Sequence, residues 1–172
     1  MSDWQSCHGV LVRVAGAGVL LTGEPGSGKS SLALELIDRG HRLVSDDAPL
    51  LRRMSTGRIE GRCPDLLAGL LHVRGLGVLD LRRLFGPSAV IRRLRRLDLR
   101  VHLELQPPAP GPVHDEPEHT ELLGVRLPLY RLCPSPGLAR ALWVECAARN
   151  RHRHGLAGRR LNAALEPERS CG

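Results

Sequence analysis

The sequence has few aromatic residues, a single lysine and no long apolar run. Only four of its 172 residues are aromatic, namely Trp4, Phe85, Tyr130 and Trp143, so we expect a core of Leu, Val, Ile and Ala. No apolar stretch approaches the length that crosses a membrane, and the N-terminus lacks the charged and then apolar segments of a signal peptide. These absences predict one domain over residues 1–172, with no membrane association and a cytoplasmic location.

The cysteines form no recognisable framework. Their number is odd, they are scattered along the chain, and no two have the CxxC spacing of a metal or redox site. We therefore expect reduced thiols, as in cytosolic proteins, rather than disulfides or a zinc site. The five residues are Cys7, Cys63, Cys133, Cys146 and Cys171.

The net charge of +7 raises the question of nucleic-acid binding, for which RRLRR at 92–96 is the best local evidence. Two observations argue against it: aromatic residues for base stacking are scarce, and the arginines are spread along the whole chain. A solvated face, or a surface for an acidic partner, explains the charge better. The RHRH run at 151–154 is interpreted as a basic helix end rather than a metal site, because His152 and His154 would lie on different helix faces.

Hydrophobic patterning predicts one domain of mixed α/β type. Leucine and valine alternate strictly with polar residues over 97–105, which is typical of a half-buried strand. Isolated glycines in the apolar run 70–86 indicate a loop or a close backbone approach. Further strands are predicted over 10–14, 19–22, 42–47, 50–62 and 122–132, helices over 30–39 and 138–152, a mobile loop over 107–119, a turn over 134–137 and a frayed tail over 160–172.

One segment matches the phosphate-binding pattern GxxxxGK[ST] in full, between a predicted strand and a predicted helix. Glycines let backbone N–H groups point at phosphate oxygens, and the helix N-terminus adds positive charge. Lys29 is the only lysine beside 24 arginines, and we expect it to reach the β and γ phosphates while the Ser30 hydroxyl holds Mg²⁺. The segment consists of Gly23, Glu24, Pro25, Gly26, Ser27, Gly28, Lys29 and Ser30.

Two adjacent carboxylates follow the predicted phosphate loop closely. Asp46 and Asp47 end a predicted strand about eighteen residues after Lys29, whereas the metal-directing aspartate of most P-loop proteins usually lies further along the chain. A strand end beside a phosphate site would place one aspartate near Mg²⁺ and let the other accept a proton from an attacking hydroxyl. This arrangement favours phosphoryl transfer.

The chain resembles the C-terminal catalytic domain of the HPr kinase/phosphorylases over nearly its whole length. The resemblance rests on His8-Gly9, the run 18–49, RGLGVLD within 71–86, LLGVRLPL at 122–129 and a Pro-Gly followed by an Ala-rich helix. It implies a nucleotide core like that of phosphoenolpyruvate carboxykinase and the use of ATP and Mg²⁺ to phosphorylate a serine of the phosphocarrier HPr. It also implies the reverse attack by inorganic phosphate, and assembly into hexamers.

The resemblance also assigns roles to individual residues. Lys29 corresponds to the lysine that binds phosphate, and Ser30 and Asp46 to the metal-binding positions. Asp47 corresponds to the base, which would become the acid in the reverse direction, and His8 to an active-site histidine. Arg74, within RGLG, is expected to line the site.

This chain departs from the family pattern mainly on the acceptor side. His72 replaces a glutamate that helps to bind Mg²⁺, the region 114–118 lacks the usual arginine, and the segment 133–139 lacks both arginines of the loop linked to dephosphorylation. Two departures in and beside the phosphate-binding segment are milder: Pro25 replaces a serine, and Ser31 replaces the glutamate that usually follows GKS. Three alternatives therefore remain beside an HPr kinase: a nucleotide-binding regulatory module without transfer activity, a kinase for another acceptor, and, least favoured, a nucleic-acid binder.

Overall fold

The computed structural model describes residues 4–106, 117–133 and 137–151. Most of the predicted mobile loop, the predicted turn, the histidines of the RHRH run and the predicted frayed tail lie outside these residues. Glu118 and His119, which we assigned to the loop, instead begin a strand. No helix in the described part of the chain is long and apolar enough to cross a membrane.

The described chain forms twelve strands and three α-helices, which confirms a mixed α/β fold. The strands are β1 (Gln5–Ser6), β2 (Val10–Val14), β3 (Ala17–Gly23), β4 (Arg42–Ser45), β5 (Leu50–Arg53), β6 (Ile59–Arg62), β7 (Leu70–Val73), β8 (Gly77–Asp80), β9 (Arg93–Leu94), β10 (Leu99–Leu103), β11 (Glu118–Leu122) and β12 (Val125–Leu132). The helices are α1 (Lys29–Asp38), α2 (Leu81–Phe85) and α3 (Arg140–Asn150).

A six-stranded sheet in the order β11-β12-β10-β3-β2-β4 forms the centre of the fold. Strand β3 pairs antiparallel with β2, through the predicted hairpin, and parallel with β10, with Val19 opposite Leu99 and Gly23 opposite Leu103. Strand β10 also runs parallel to β12. Since β3 and β10 run in the same direction, their carboxyl ends meet at one edge, where the chain leaves β3 for α1.

Helices α1 and α3 pack on one face of this sheet and bury its aliphatic side chains. The alternation predicted for β10 is confirmed, since Leu99, Val101 and Leu103 are buried beneath the helices. Glu145 of α3 joins the two helices: it accepts hydrogen bonds from Arg39 at 2.6 and 2.9 Å and lies 2.9 Å from His41 Nε2. The hydrogen bonds from Arg39, with a further one from His41, lower the pKa of the Glu145 carboxyl to about 2, although burial acts in the opposite direction.

The other face of the large sheet packs against a four-stranded sheet in the order β1-β5-β6-β9. Its edge strand β9 lies inside the RRLRR run, which is therefore not a uniformly exposed segment. Leu94 is buried, and Arg93 donates two hydrogen bonds to the buried carboxylate of Glu60. Arg92, Arg95 and Arg96 remain exposed.

The apolar run 70–86 forms a hairpin and a short helix, and its isolated glycines, predicted to mark a loop or a close backbone approach, lie in the turn of that hairpin. Strands β7 and β8 pair antiparallel, and Gly75 and Gly77 have φ angles of 86° and 81° in the turn between them. The glycines therefore mark a tight turn rather than a long irregular segment. Leu71 and Val73 point into the core against α1, which sets the hairpin beside the carboxyl end of β3.

Candidate active site

The loop from Gly23 to Ser30, called the glycine loop below, joins β3 to α1 in a conformation that requires glycine. Gly23, Gly26 and Gly28 all have positive φ angles. A methyl group on Gly23 would lie 2.5 Å from the carbonyl oxygen of Leu103 and 2.7 Å from Ser27 Oγ. The loop thus approaches the end of β10 more closely than any side chain permits.

Polar groups of the glycine loop converge at the N-terminus of α1. Lys29 Nζ donates to the carbonyl oxygens of Gly23 and Glu24 at 2.8 and 2.9 Å, so the ammonium lies over the loop. The hydroxyl of Ser27 is buried and has no hydrogen-bond partner among the described residues. Gly28 offers no side chain to cap the first N–H groups of the helix. Unpaired donors at a helix N-terminus beside an ammonium form a suitable environment for an anion.

Asp46 directly follows β4 and connects the end of that strand to helix α1. Its Oδ1 accepts from the Ser30 hydroxyl at 3.4 Å, and its Oδ2 accepts from the backbone N–H of His72 at 2.8 Å. Burial raises the pKa of the Asp46 carboxyl above its ordinary value, and the charge of Asp47 acts in the same direction, whereas the His72 N–H lowers it. The predicted proximity of Asp46 to Ser30 is therefore present.

Asp47 points away from Asp46 and is largely exposed. Its φ angle is 61°, in the left-handed region that few residues other than glycine, asparagine and aspartate adopt. Its Oδ1 lies 3.3 Å from His8 Nδ1, and its backbone oxygen accepts from the N–H of Gly9 at 3.4 Å. The unusual backbone turns the two successive carboxylates to different neighbours, one to Ser30 and the other to His8.

Two arginines from distant parts of the chain flank the glycine loop. Both terminal nitrogens of Arg74, in the β7–β8 turn, would lie 3.8 Å from a methyl group on Gly26. Arg140 Nη1, at the start of α3, would lie 2.9 Å from a methyl group on Gly28, and its Nη2 donates to Glu35 Oε1 at 2.9 Å. Arg74 was predicted from its motif, whereas Arg140 was not assigned a role.

The exchange of the usual glutamate for His72 disturbs the site less than the change of side chain suggests. The structure uses its backbone N–H, which any residue other than proline supplies, to hold Asp46, while the imidazole is exposed. No cluster of three or more His, Cys, Asp and Glu side chains with metal-ligand geometry occurs in the described ranges. The adjacent oxygens of Ser30 and Asp46 nevertheless suit Mg²⁺, which prefers oxygen ligands and usually keeps several waters.

Comparisons with known proteins agree with this geometry. The HPr kinase/phosphorylase of Leptothrix cholodnii is 48% identical over 148 residues, which cover 84% of this chain and 45% of the relative. That of Bordetella pertussis is 49% identical over 147 residues, which cover 83% and 47%. The chain thus spans about half the length of the curated relatives it matches.

A solved structure has the same fold. The Hpr(Ser) kinase/phosphatase from Coxiella burnetii superimposes with a TM-score of 0.77 at 30% sequence identity, and the match covers 95% of this chain and 99% of that chain. The family model described as the HPr Serine kinase C-terminal domain matches residues 1–166. The chain therefore belongs to the HPr serine kinase C-terminal domain family.

Proposed function

We propose that this chain is the catalytic unit of an ATP-dependent serine kinase of the HPr kinase/phosphorylase type, with HPr as its acceptor. The observation that carries the proposal is that two successive carboxylates beside the glycine loop have different partners. Asp46 accepts a hydrogen bond from Ser30, and Asp47 lies against His8. One carboxylate faces the expected phosphate and metal position, and the other is free to meet an acceptor.

The glycine loop would bind ATP as a P-loop within a nucleotide core like that of phosphoenolpyruvate carboxykinase. Its backbone N–H groups, Lys29 and the unpaired Ser27 hydroxyl would supply hydrogen-bond donors to the phosphates. Arg74 and Arg140 add positive charge on two sides of the loop. Ser30 and Asp46 would hold Mg²⁺, which neutralises charge on the phosphate oxygens.

Asp47 would act as the base in the transfer step. A bond forms between the acceptor serine oxygen and the γ-phosphorus, the bond from that phosphorus to the bridging oxygen breaks, and ADP leaves. The serine proton passes to the Asp47 carboxylate, and His8 at 3.3 Å holds that carboxylate in position. In the reverse step, inorganic phosphate would form a bond to the phosphorus of phosphoserine, the bond from that phosphorus to the serine oxygen would break, and pyrophosphate would leave. Protonated Asp47 would act as the acid and give its proton to the serine oxygen.

The positions of Asp46 and His72 favour an enzyme over a regulatory module that only binds nucleotide. Because the contact to Asp46 comes from the His72 backbone, exchange of the usual glutamate leaves the orientation of Asp46 supported. A hexameric assembly and a cytoplasmic location stay predictions of the resemblance and the composition.

The test is transfer of labelled γ-phosphate from ATP, with Mg²⁺, to purified HPr. We expect labelled HPr with the unchanged protein and a loss of about 100-fold or more in the transfer rate with Asp47→Asn, as for removal of a catalytic base. Asp65→Asn is the matched control, because Asp65 is exposed at the start of a short 3₁₀ helix outside the site, and it should transfer normally. HPr whose acceptor serine is replaced by alanine should stay unlabelled.

The result separates the alternatives. Transfer that survives Asp47→Asn would overturn its role as base. ATP binding that depends on Lys29, without transfer to HPr, would replace the proposal by a regulatory module or by a kinase for another acceptor.

A further inference from the structure

An arginine-rich cleft of about 480 Å³ lies at the end of β3 away from the glycine loop. It is lined by Arg13 on β2, by Arg93, Arg95 and Arg96 of the RRLRR run, and by Arg151 after α3, together with Asp98. Five arginines and one aspartate leave a surplus of four positive charges. Neither the glycine loop nor the two site aspartates lines this cleft.

The single carboxylate in the cleft is already engaged. Asp98 Oδ2 accepts from the backbone N–H of Gly18 at 2.8 Å, and its Oδ1 lies 2.9 Å from Arg96 Nε. Arg151 Nε is 3.6 Å from the same oxygen and is buried without a hydrogen-bond partner in the described chain. Asp98 is therefore shared between Arg96 and Arg151, and no other carboxylate lines the first cleft to balance its remaining arginines.

Two exposed arginines at the rim, Arg13 and Arg95, form no ion pair or side-chain hydrogen bond with other described residues, whereas Arg93 pairs with Glu60 and Arg96 with Asp98. Two adjoining clefts of about 360 and 430 Å³ share arginines with the first and add Arg58 and Arg126, which are also unpaired within the described ranges. The one further carboxylate that lines these clefts belongs to Glu60, which is buried and already paired. The result is a continuous basic band, too extended for one small ligand.

The basic band is separate from the proposed active site. Strands β3 and β10 run from the first cleft, where Val19 pairs with Leu99, to the glycine loop, where Gly23 pairs with Leu103. The paired stretch from Val19 to Gly23 spans four steps of about 3.3 Å each, so roughly 13 Å of paired strand lies between the two.

We propose that the basic band binds an acidic segment of a polypeptide. Guanidinium groups recognise carboxylates through two parallel hydrogen bonds. Half-buried apolar side chains lie between the arginines, namely Ile91, Val125 and Pro128, and would receive the apolar residues of such a segment. No aromatic residue lines the three clefts, so the band offers no stacking surface for bases.

The test measures fluorescence anisotropy of a labelled short peptide in which Glu and Leu alternate, at about 0.15 M salt, where long-range attraction is screened. The paired variant Arg13→Glu/Arg95→Glu removes two exposed, unpaired arginines of the band. The control, Arg53→Glu/Arg83→Glu, lowers the net charge equally at exposed arginines outside the three clefts. Thermal unfolding of each variant verifies that it folds.

We expect the peptide to bind, the paired variant to weaken binding about tenfold or more, and the control to change it less than about twofold. A peptide with Gln in place of Glu should not bind. The proposal is overturned if the Glu peptide does not bind, if both double variants weaken it equally, or if a short DNA duplex binds more tightly than the peptide and depends on the same two arginines.

Discussion

The imidazole Nδ1 of His8 lies 3.3 Å from Asp47 Oδ1, and the side chains are 64% and 76% exposed. An ion pair this open to solvent adds little to the free energy of unfolding. Its effect is therefore on the orientation of Asp47, whose left-handed backbone already turns it away from Asp46. We therefore predict that this contact affects the proposed transfer step rather than the free energy of unfolding.

We accordingly expect His8→Gln to slow phosphoryl transfer without unfolding the protein. A mispositioned base lowers kcat, by about 10- to 100-fold, while the KM for ATP stays unchanged, because the His8 side chain is paired with Asp47 and forms no hydrogen bond or ion pair with the glycine loop. Steady-state kinetics with HPr and thermal unfolding check both parts. His119→Gln, exposed on β11, should behave like the unchanged protein; a rise in the KM for ATP with His8→Gln would contradict the assignment.

Arg140 is expected to contribute to nucleotide affinity. Because its guanidinium lies over Gly28 and is held by Glu35, Arg140→Ala removes a positive charge from the predicted phosphate position. Titration with a fluorescent ATP analogue should show about tenfold weaker binding, or about 1.4 kcal/mol. Arg149→Ala, on the same helix but exposed, serves as the control. Equal affinities for the two variants would remove Arg140 from the site.

Gly23→Ala tests whether the glycine loop needs glycine because Leu103 lies so close to it, and not only because of the positive φ angle. Its methyl group would meet the carbonyl oxygen of Leu103 at 2.5 Å, so the glycine loop must shift. Gly57→Ala is the matched control, since Gly57 has a φ of 73° and open space around the added methyl group. Gly57→Ala should lose about 1 kcal/mol of unfolding free energy through its positive φ angle alone. Gly23→Ala should lose more, because its methyl group also clashes with backbone, and only Gly23→Ala should also lose ATP binding. ATP binding that is retained by Gly23→Ala would show that the loop tolerates the shift.

The Glu145 cluster predicts a defined loss of stability in acid. The pKa of this carboxyl is about 2 in the folded protein, against 4.5 for the ordinary group. A lowered folded pKa means that the ionised form stabilises the fold above about pH 5, and that this contribution is lost as the pH falls toward 2. Glu145→Gln should therefore reduce the unfolding free energy by about 1 to 3 kcal/mol at pH 7.

Urea unfolding at a series of pH values checks this linkage. The difference between the unchanged protein and Glu145→Gln should shrink steadily between pH 5 and the folded pKa of about 2. Glu121→Gln, at an exposed position of β11, should show no such difference at any pH. A difference that stays constant across this range would mean that Glu145 stabilises the fold by packing rather than by charge.

Local patterns predicted the parts of the fold that depend on neighbours in sequence. The hairpin of β2 and β3, helix α1 and the alternation of β10 follow from short-range periodicity. The run 122–132 was predicted as extended, and it is extended over Val125–Leu132. Leu123 and Gly124, with φ angles of 51° and 69°, form the unpredicted turn that joins β11 to β12. Glycine in apolar surroundings is compatible with a loop or with a tight turn, and only the pairing of the flanking strands decides between them.

In the candidate site, too, local patterns predicted only the contacts between residues that are close in sequence. Ser30 and Asp46 were predicted to lie together because motif spacing places both at strand or helix ends, and the structure brings them to 3.4 Å. Arg140 was missed because its neighbours, Gly28 and Glu35, precede it by more than a hundred residues. The folding of α3 onto α1 creates that contact, and no local pattern contains it. An Arg–Glu complementarity between the two helices was the only available signal.

Because Lys29 is the single lysine in the chain, its reactivity can be used to detect ligand binding at the glycine loop. Its ε-amino group is the single lysine amine in the chain, and it lies over the glycine loop within hydrogen-bond distance of two carbonyl oxygens. An amine-selective acylating reagent therefore has one side-chain target, located where ATP is proposed to bind. The rate of acylation at that one atom, followed by mass spectrometry, would measure how much of the loop is occupied by ATP, without any substitution or attached label.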